Sequence, residues 1–410
     1  MQDYNIHNND EIYKHSGRSW VEVDLSKLDH NYELIASLLA DDTEIIPVLK
    51  ANAYGHGALE VARSLEKYGP KCFAVASLDE ALFLREHGIK EDILLLSFNE
   101  VERLDEAINN DLSFAVSNYN FARILNKVAK EEGKVAKAHI ALDTGLSRLG
   151  FSTDDETNID KITKINELSN IHLVASFSHF ATASGQDLST GTEDKAKARE
   201  FLEQQFSEFM RFNDLLSKAG IKFEYKHIAN SAAILTHKAS NLDAVRAGAI
   251  LYGINPLMDE LDEDFSPIMS WKTRVLEIKH LKKGRTIGYD RTYKLDEDKT
   301  IAILAVGYAD GYQRNMSFKA KVKYKDQLCP VLGLIYMDMI SIDISKLSFK
   351  PKIGDEIVLM EASTAPDAIN LYDLARWQDT SPYTITSSIS SRIPRVFLRD
   401  GKAVKLEKFI

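Results

Sequence analysis

Cysteine is nearly missing from this 410-residue chain, where Cys72 and Cys329 stand alone. Two thiols so far apart supply neither the paired spacing of a zinc site nor a disulfide framework, so no structural metal and a reducing, cytoplasmic setting are expected. Long apolar runs are missing too. None approaches the roughly 20 residues that a membrane-crossing helix needs, and residues 1–18 are polar, without the apolar centre of a secretory leader. No membrane association is expected. Basic residues are not in excess either: 51 Lys and Arg stand against 61 Asp and Glu, a formal net charge of −10. That disfavours nucleic acid as a partner, local basic patches aside. What is present is ordinary for a globular protein, with 44% hydrophobic and 27% charged residues. The length suits two domains, or one large barrel with an addition.

The most informative stretch is Lys50-Ala51-Asn52-Ala53-Tyr54-Gly55-His56-Gly57. A short apolar run, 45–49, ends in Lys50; a glycine-bearing loop follows, and helical spacing begins near Ala58. The pattern reads as strand, loop, helix, with Lys50 at the carboxyl end of the strand, where barrel folds place their chemistry. A lysine among apolar neighbours gives up its proton more easily, because burial disfavours the charged form. The neutral amine can then condense with an aldehyde. A surface lysine beside a turn is the plainer alternative.

Before and after this stretch the chain alternates. Residues 1–17 read as a loose tail. Residues 19–24 alternate like a strand, and Asp24 is placed to cap a helix starting near Leu25. Strand signals at 73–76, 93–97, 114–117, 139–143 and 173–177 interleave with helical spacing at 78–87, 100–109, 119–132 and 195–218; Gly88, Gly133 and Gly220 close three of these helices. Roughly eight strand–helix units imply a parallel sheet and, at this length, a (β/α)₈ TIM-type barrel. The polar segment 184–194 reads as a flexible loop. The acidic run 257–264, followed by Pro267, marks a crossover. Beyond it, strands are expected at 273–280, 300–306, 321–324, 339–344 and 355–360, with one helix at 368–377. The organisation is thus α/β: a tail over 1–17, a barrel over 18–266 and a β-rich carboxyl-terminal domain over 267–410.

Several motifs carry groups capable of chemistry. His139-Ile140-Ala141-Leu142-Asp143-Thr144-Gly145-Leu146-Ser147-Arg148 is a strand entering a glycine loop; Arg148 can grip a carboxylate through its planar fork, or be merely solvated. His179 follows an apolar strand and is either a working group or a satisfied core histidine. In His227-Ile228-Ala229-Asn230-Ser231, a hydroxyl and backbone N–H groups at a helix start suit an anion, though the same residues make an ordinary cap. In Arg246-Ala247-Gly248-Ala249, the glycine lets the backbone approach a ligand closely. In Gly288-Tyr289-Asp290 the tyrosine on its own would be a turn residue.

Taken together, these segments resemble the alanine racemase family. Lys50 to Gly57 is similar to its pyridoxal-phosphate lysine segment, and Asp143 to Gly150 to its second motif; the likeness runs from about residue 18 to the end. The resemblance implies that Lys50 carries pyridoxal 5'-phosphate and that Tyr54, Ser231, Gly248 and Ala249 contact its phosphate. Arg246 faces the pyridine nitrogen, and His179 links it to the catalytic tyrosine, Tyr289. Arg148 and the backbone of Met337 hold the substrate carboxylate, and Tyr308 narrows the entrance. Tyr289, Tyr308 and Met337 reach into a partner's site, which implies a homodimer acting on a small amino acid. The implied activity is two-base interconversion of L- and D-alanine for peptidoglycan. A tyrosine, with an ordinary pKa of about 10, needs nearby positive charge for that work. Arginine cannot readily give up a proton, so the pyridine nitrogen stays unprotonated.

Three positions depart from the family pattern: Ala141 stands for a carbamylated lysine, Ser391 for a tyrosine that walls the pocket, and Tyr336 for a cysteine. The first leaves Arg148 in need of another neighbour, a bound chloride being one candidate. The second implies a larger pocket and, as the alternative function, a serine or broader-specificity racemase. A decarboxylase on the same two-domain plan would want a carboxylate in place of Arg246 and a cysteine reaching a partner's cofactor.

Overall fold

Short runs of Ile, Leu, Val and Ala, apolar on both faces, make the strands of a parallel sheet, since helices cover each side. The runs Cys72–Val75, Ser113–Val116 and Ala244–Ala247, apolar but for Ser113 and Arg246, are buried at every position. A computed structural model describes residues 9–97, 100–186, 194–257 and 263–408. In it these runs join Glu44–Pro47, Asp92–Leu95, Ala136–Asp143, Ile171–Phe177 and Tyr225–Asn230, and each neighbouring pair is parallel. The last strand pairs with the first, Arg246 opposite Ile46. The ring is completed by a parallel bridge between Val48 and Ala74, with the Leu49 N–H 2.8 Å from the Ala74 carbonyl. This is the TIM-type barrel. Its helices include Leu78–Glu86, Tyr119–Glu131 and Lys195–Lys218. Thr157–Asn166 adds a helix absent from the sequence reading.

The chain divides into two compact units. The barrel unit is made of Asn31–Ala53 and Val61–Phe265; the other takes the described residues of Met1–His30, Tyr54–Glu60 and Ser266–Ile410. The second unit is built on a largely antiparallel nine-stranded sheet. At its centre the long strand Met269–Leu281 pairs with Ser19–Asp24, Lys299–Leu304 and Glu356–Met360.

Two expectations are corrected here. Ser19–Asp24, placed with the barrel by the span 18–266, belongs to this sheet, antiparallel to Met269–Leu281 and parallel to Arg395–Arg399. Its alternating pattern fits a sheet with one covered face as well as a barrel, and only the pairing partner decides. Residues 9–15 are not a loose tail but a helix, Asn9–His15. Ile12 is its one large aliphatic side chain, fully buried against Trp20, Val396 and Leu406. Residues 1–8, most of the polar loop 184–194 and the centre of the acidic run 257–264 lie outside the described residues. Asp24 caps its helix as read, accepting from Ser26 and Lys27 N–H at 2.9 and 3.2 Å.

The second unit also holds a helix that was not anticipated, Pro382–Ser387. Thr384, Ile385 and Thr386 favour extended structure. The start signal was nonetheless legible: Ser381 caps, its side chain accepting from Tyr383 N–H, and Pro382 occupies the first turn.

Candidate active site

Lys50 follows the first barrel strand, and the backbone after it does something rare. Ala51, Asn52, Ala53 and Tyr54 all have positive φ, 53°, 54°, 53° and 55°. They form one left-handed turn, closed by a 2.7 Å bond from Ala53 N–H to the Leu49 carbonyl. L-residues pay about 1–2 kcal/mol each for this conformation, so the turn stores several kcal/mol. Short side chains at 51–53 lessen the crowding. The turn is pinned by Glu80, whose Oε1 accepts from Ala51 N–H at 2.6 Å while Oε2 accepts from Ala76 N–H at 2.9 Å. The same carboxylate completes the capping box of Leu78–Glu86. Strain held by its surroundings in this way is characteristic of functional sites.

The Lys50 amine is half-buried, and its pKa is lowered by that burial and then by the charges of Arg148 and Arg246, against an opposing pull from Glu80. Arg148, His179, Ser231 and Gly248 all follow the carboxyl ends of barrel strands, and Arg246 lies within the last one. The structure therefore brings the barrel's sequence-predicted residues to one end. Three cations, Lys50, Arg148 and Arg246, influence one another there. That surplus of positive charge fits a phosphorylated cofactor together with a carboxylate substrate.

Arg246 is buried at 4% exposure. Burial, helped by Arg148, pushes its pKa down to about 9, so it stays charged at neutral pH. Its Nη1 donates to His227 Nδ1 at 2.7 Å and to the His227 carbonyl at 3.2 Å. Its Nη2 reaches the Ser178 carbonyl at 2.7 Å, the Ile228 carbonyl at 3.0 Å and His179 Nδ1 at 3.2 Å. Arginine has no acceptor, so both histidines must present a lone pair at Nδ1. They are held neutral: burial, then the charge of Arg246, takes each pKa well below the ordinary value. His227 Nε2 then faces His139 Nδ1 at 3.2 Å. His179 thus lies beside Arg246, and His227 and His139 are partners that the sequence reading passed over. The available signal was a histidine closely following a lysine in each of the strands Ala136–Asp143 and Tyr225–Asn230.

Ser231 Oγ accepts from Gly248 N–H at 3.0 Å, which sets the hydroxyl, the glycine and the start of the Ala249–Tyr252 turn side by side. Ala141 is buried and apolar, so it offers Arg148 nothing. Replacing Arg148 with glutamine should move the pH of half-maximal capture of pyridoxal phosphate by the protein upward. Removing a neighbouring cation stabilises the Lys50 ammonium, raises its pKa, and leaves less neutral amine at a given pH. Borohydride trapping across a pH series reads this, and an unmoved or lowered midpoint contradicts it.

In the other unit, Tyr54 packs edge-on against Tyr383, with ring centroids 6.2 Å apart. Burial, with a contribution from Tyr383, holds the Tyr54 phenol up at about 12, so it is a neutral hydrogen-bond donor. Gly55 has φ +86°, and a Cβ there would lie 2.0 Å from the Thr386 carbonyl oxygen, so only glycine admits this approach. Tyr383 was missed because its helix was missed. Ser391, from which a widened pocket was inferred, is exposed in the turn before Arg395, while a tyrosine already stands beside Tyr54. The argument for a widened pocket therefore loses its basis.

Tyr289 is 66% exposed and Met337 53%. Tyr289 follows Gly288, at φ +84°, and its ring meets Tyr336 edge-on at 5.6 Å. Tyr308 is half-buried, its N–H donating to the Tyr336 carbonyl at 3.0 Å. Cys329 is fully buried, so its thiol cannot extend to another subunit. Among the described residues no cluster of His, Cys, Asp and Glu could hold a metal ion, and no helix is long and apolar enough to cross a membrane.

Comparison with known proteins adds the following. The family model described as alanine racemase, N-terminal domain, matches residues 23–256, and that of the alanine racemase C-terminal domain matches 268–397. An alanine racemase from Clostridium tetani is 39% identical over 97% of this chain and 100% of its own length. A solved alanine racemase from Clostridium difficile 630 superposes with a TM-score of 0.89 at 34% identity, covering 96% of this chain and 99% of that one. A structure of alanine racemase from Bartonella henselae with covalently bound pyridoxal phosphate gives a TM-score of 0.79 at 26% identity, covering 93% and 100%.

Proposed function

The chain belongs to the alanine racemase family, and from that premise we propose that it interconverts L- and D-alanine with pyridoxal phosphate as cofactor. The observation that carries this reading is a lysine with a lowered pKa at a strand's carboxyl end, sharing its surroundings with two arginines. Lys50, its pKa lowered by burial, would offer its amine to the aldehyde. Ser231, Gly248 and Ala249 would receive the phosphate. Arg246, fixed by His227 and His179, presents a cation to the pyridine nitrogen. Arg148 takes the substrate carboxylate. When bound, the cofactor makes the α-hydrogen of an amino acid acidic. The Lys50 amine takes or returns the proton for one enantiomer, and the phenol of the partner subunit's Tyr289 does so for the other.

A homodimer is part of this reading, since Tyr289 and Met337 are assigned to a partner's site; both are exposed on the single chain, as that role requires. D-alanine for peptidoglycan, formed in the cytoplasm, is the role this activity serves. Alanine is favoured over serine, since the pocket enlargement inferred from Ser391 no longer stands. Arg246 in place of a carboxylate, together with the buried Cys329, argues against a decarboxylase. Incubation with L-alanine, L-serine and L-lysine followed by chiral chromatography tests all three. D-alanine approaching equality with L-alanine, and little D-serine or D-lysine, is expected; an amine product, or no D-isomer, rejects the reading.

A further inference from the structure

A cavity of about 450 Å³ in the sheet unit is lined by Ser16, Arg18, Asp310, Asp338, Arg392 and Pro394, among others. Four of these side chains form one ionic cluster. Asp310 is fully buried; its Oδ2 accepts from Gly307 N–H at 2.9 Å and its Oδ1 from Arg392 Nε at 2.7 Å. The other arm of the same guanidinium, Nη2, donates to Asp338 Oδ1 at 2.7 Å. Arg18 closes the cluster at longer range, 3.4 Å from Asp310 and 3.3 Å from Asp338. The two carboxylates come from different loops. Asp310 lies two residues after Tyr308, and Asp338 follows Met337 directly.

Those loops also touch through their backbones. Tyr308 N–H meets the Tyr336 carbonyl and Ala309 N–H meets the Met337 carbonyl, each at 3.0 Å. A Cβ on Gly307 would lie 2.3 Å from the Tyr336 carbonyl oxygen and 2.4 Å from that of Met337. The loops are therefore held in close register, and the Arg392 fork spans both at 2.7 Å, with Arg18 beside it at longer range. A guanidinium is suited to this because its donors point in fixed directions, whereas an ammonium is a single point charge.

We propose that Arg392 is a positioning residue for racemisation: by bridging Asp310 and Asp338 it sets the offset between Tyr308 and Met337, and so the placement of the substrate-carboxylate donor given to the partner subunit. The proposal rests on the racemase reading above. Arg392 touches no reacting atom, so its loss weakens substrate binding more than it slows the chemistry.

The test is Arg392→Lys in the pyridoxal-phosphate-loaded enzyme, which keeps the charge and removes the fork. KM for alanine should rise about tenfold with kcat changed less than about threefold, as for an interaction used equally in the ground and transition states. The absorbance of the lysine-bound cofactor should not change. Amide hydrogen exchange should quicken within 307–312 and 334–339 and stay as it was in the barrel strands. An unchanged KM, a loss confined to kcat, or faster exchange throughout the chain overturns the proposal. If Arg392→Lys does not fold, Asp338→Ala removes one anchor of the fork at a half-exposed position and is read in the same way. If the unmodified enzyme racemises nothing, the family reading has failed. Exchange alone then judges the bridge, local quickening upholding it and none overturning it.

Discussion

Replacing Tyr289 with phenylalanine slows alanine racemisation by about 10²–10⁴-fold, the usual contribution of one positioned acid–base group. The change removes a single oxygen from a ring that is 66% exposed in the isolated chain, so folding and stability should be nearly untouched. The absorbance of the lysine-bound cofactor should persist, since Lys50 and its neighbours are unaltered. The loss should also be asymmetric at the level of isotope exchange. If Lys50 and Tyr289 each serve one enantiomer, solvent deuterium still enters from the enantiomer whose proton Lys50 removes, while exchange from the other collapses. Near-normal turnover, or equal loss of exchange from both, would show that the phenol is not a base.

Arg246→Glu is the second large effect, and here the geometry sharpens the expectation. The Ser178 and Ile228 carbonyls lose the arginine as donor, while the His227 carbonyl keeps Ser178 N–H at 3.3 Å. Each buried group left unsatisfied costs about 1–3 kcal/mol. The two histidines can compensate in part by moving a proton to Nδ1 and donating to the new carboxylate, as either ring nitrogen can carry it. The variant should therefore lose a few kcal/mol of stability, measured by urea unfolding, yet remain folded. Its chemistry should change in kind. A carboxylate favours a protonated pyridine nitrogen, which draws charge into the ring. Long-wavelength absorbance during turnover should then grow, and transamination to pyruvate should appear. A folded variant with neither would mean that the arginine at this position does not govern where the charge goes.

How much of this was legible beforehand varies with the range of the interaction responsible. The helix Lys195–Lys218 and the strand Lys321–Tyr324 were read to the residue, because spacing, caps and glycine stops act within a few positions. The helix Asn9–His15 was overlooked because a single buried isoleucine holds it. The helix Pro382–Ser387 was overlooked because its β-branched residues argue locally for strand, and with it went Tyr383. His179 was read through a motif; His227 and His139 were not, since a histidine within a strand declares no partner.

By itself, the order of residues determined the alternation of strands and helices, the change to a β-rich second half, and which lysine, arginines and tyrosine are available for chemistry. These follow from side-chain periodicity and from motifs whose parts are close in the chain. Only the tertiary structure decided that residues 51–54 wind left-handed, that Arg246 is held by two neutral histidines, and that Arg392 spans two loops. Each of these is a local state unfavourable on its own, a strained turn or a buried charge, and it exists only because groups distant in the chain converge to satisfy it.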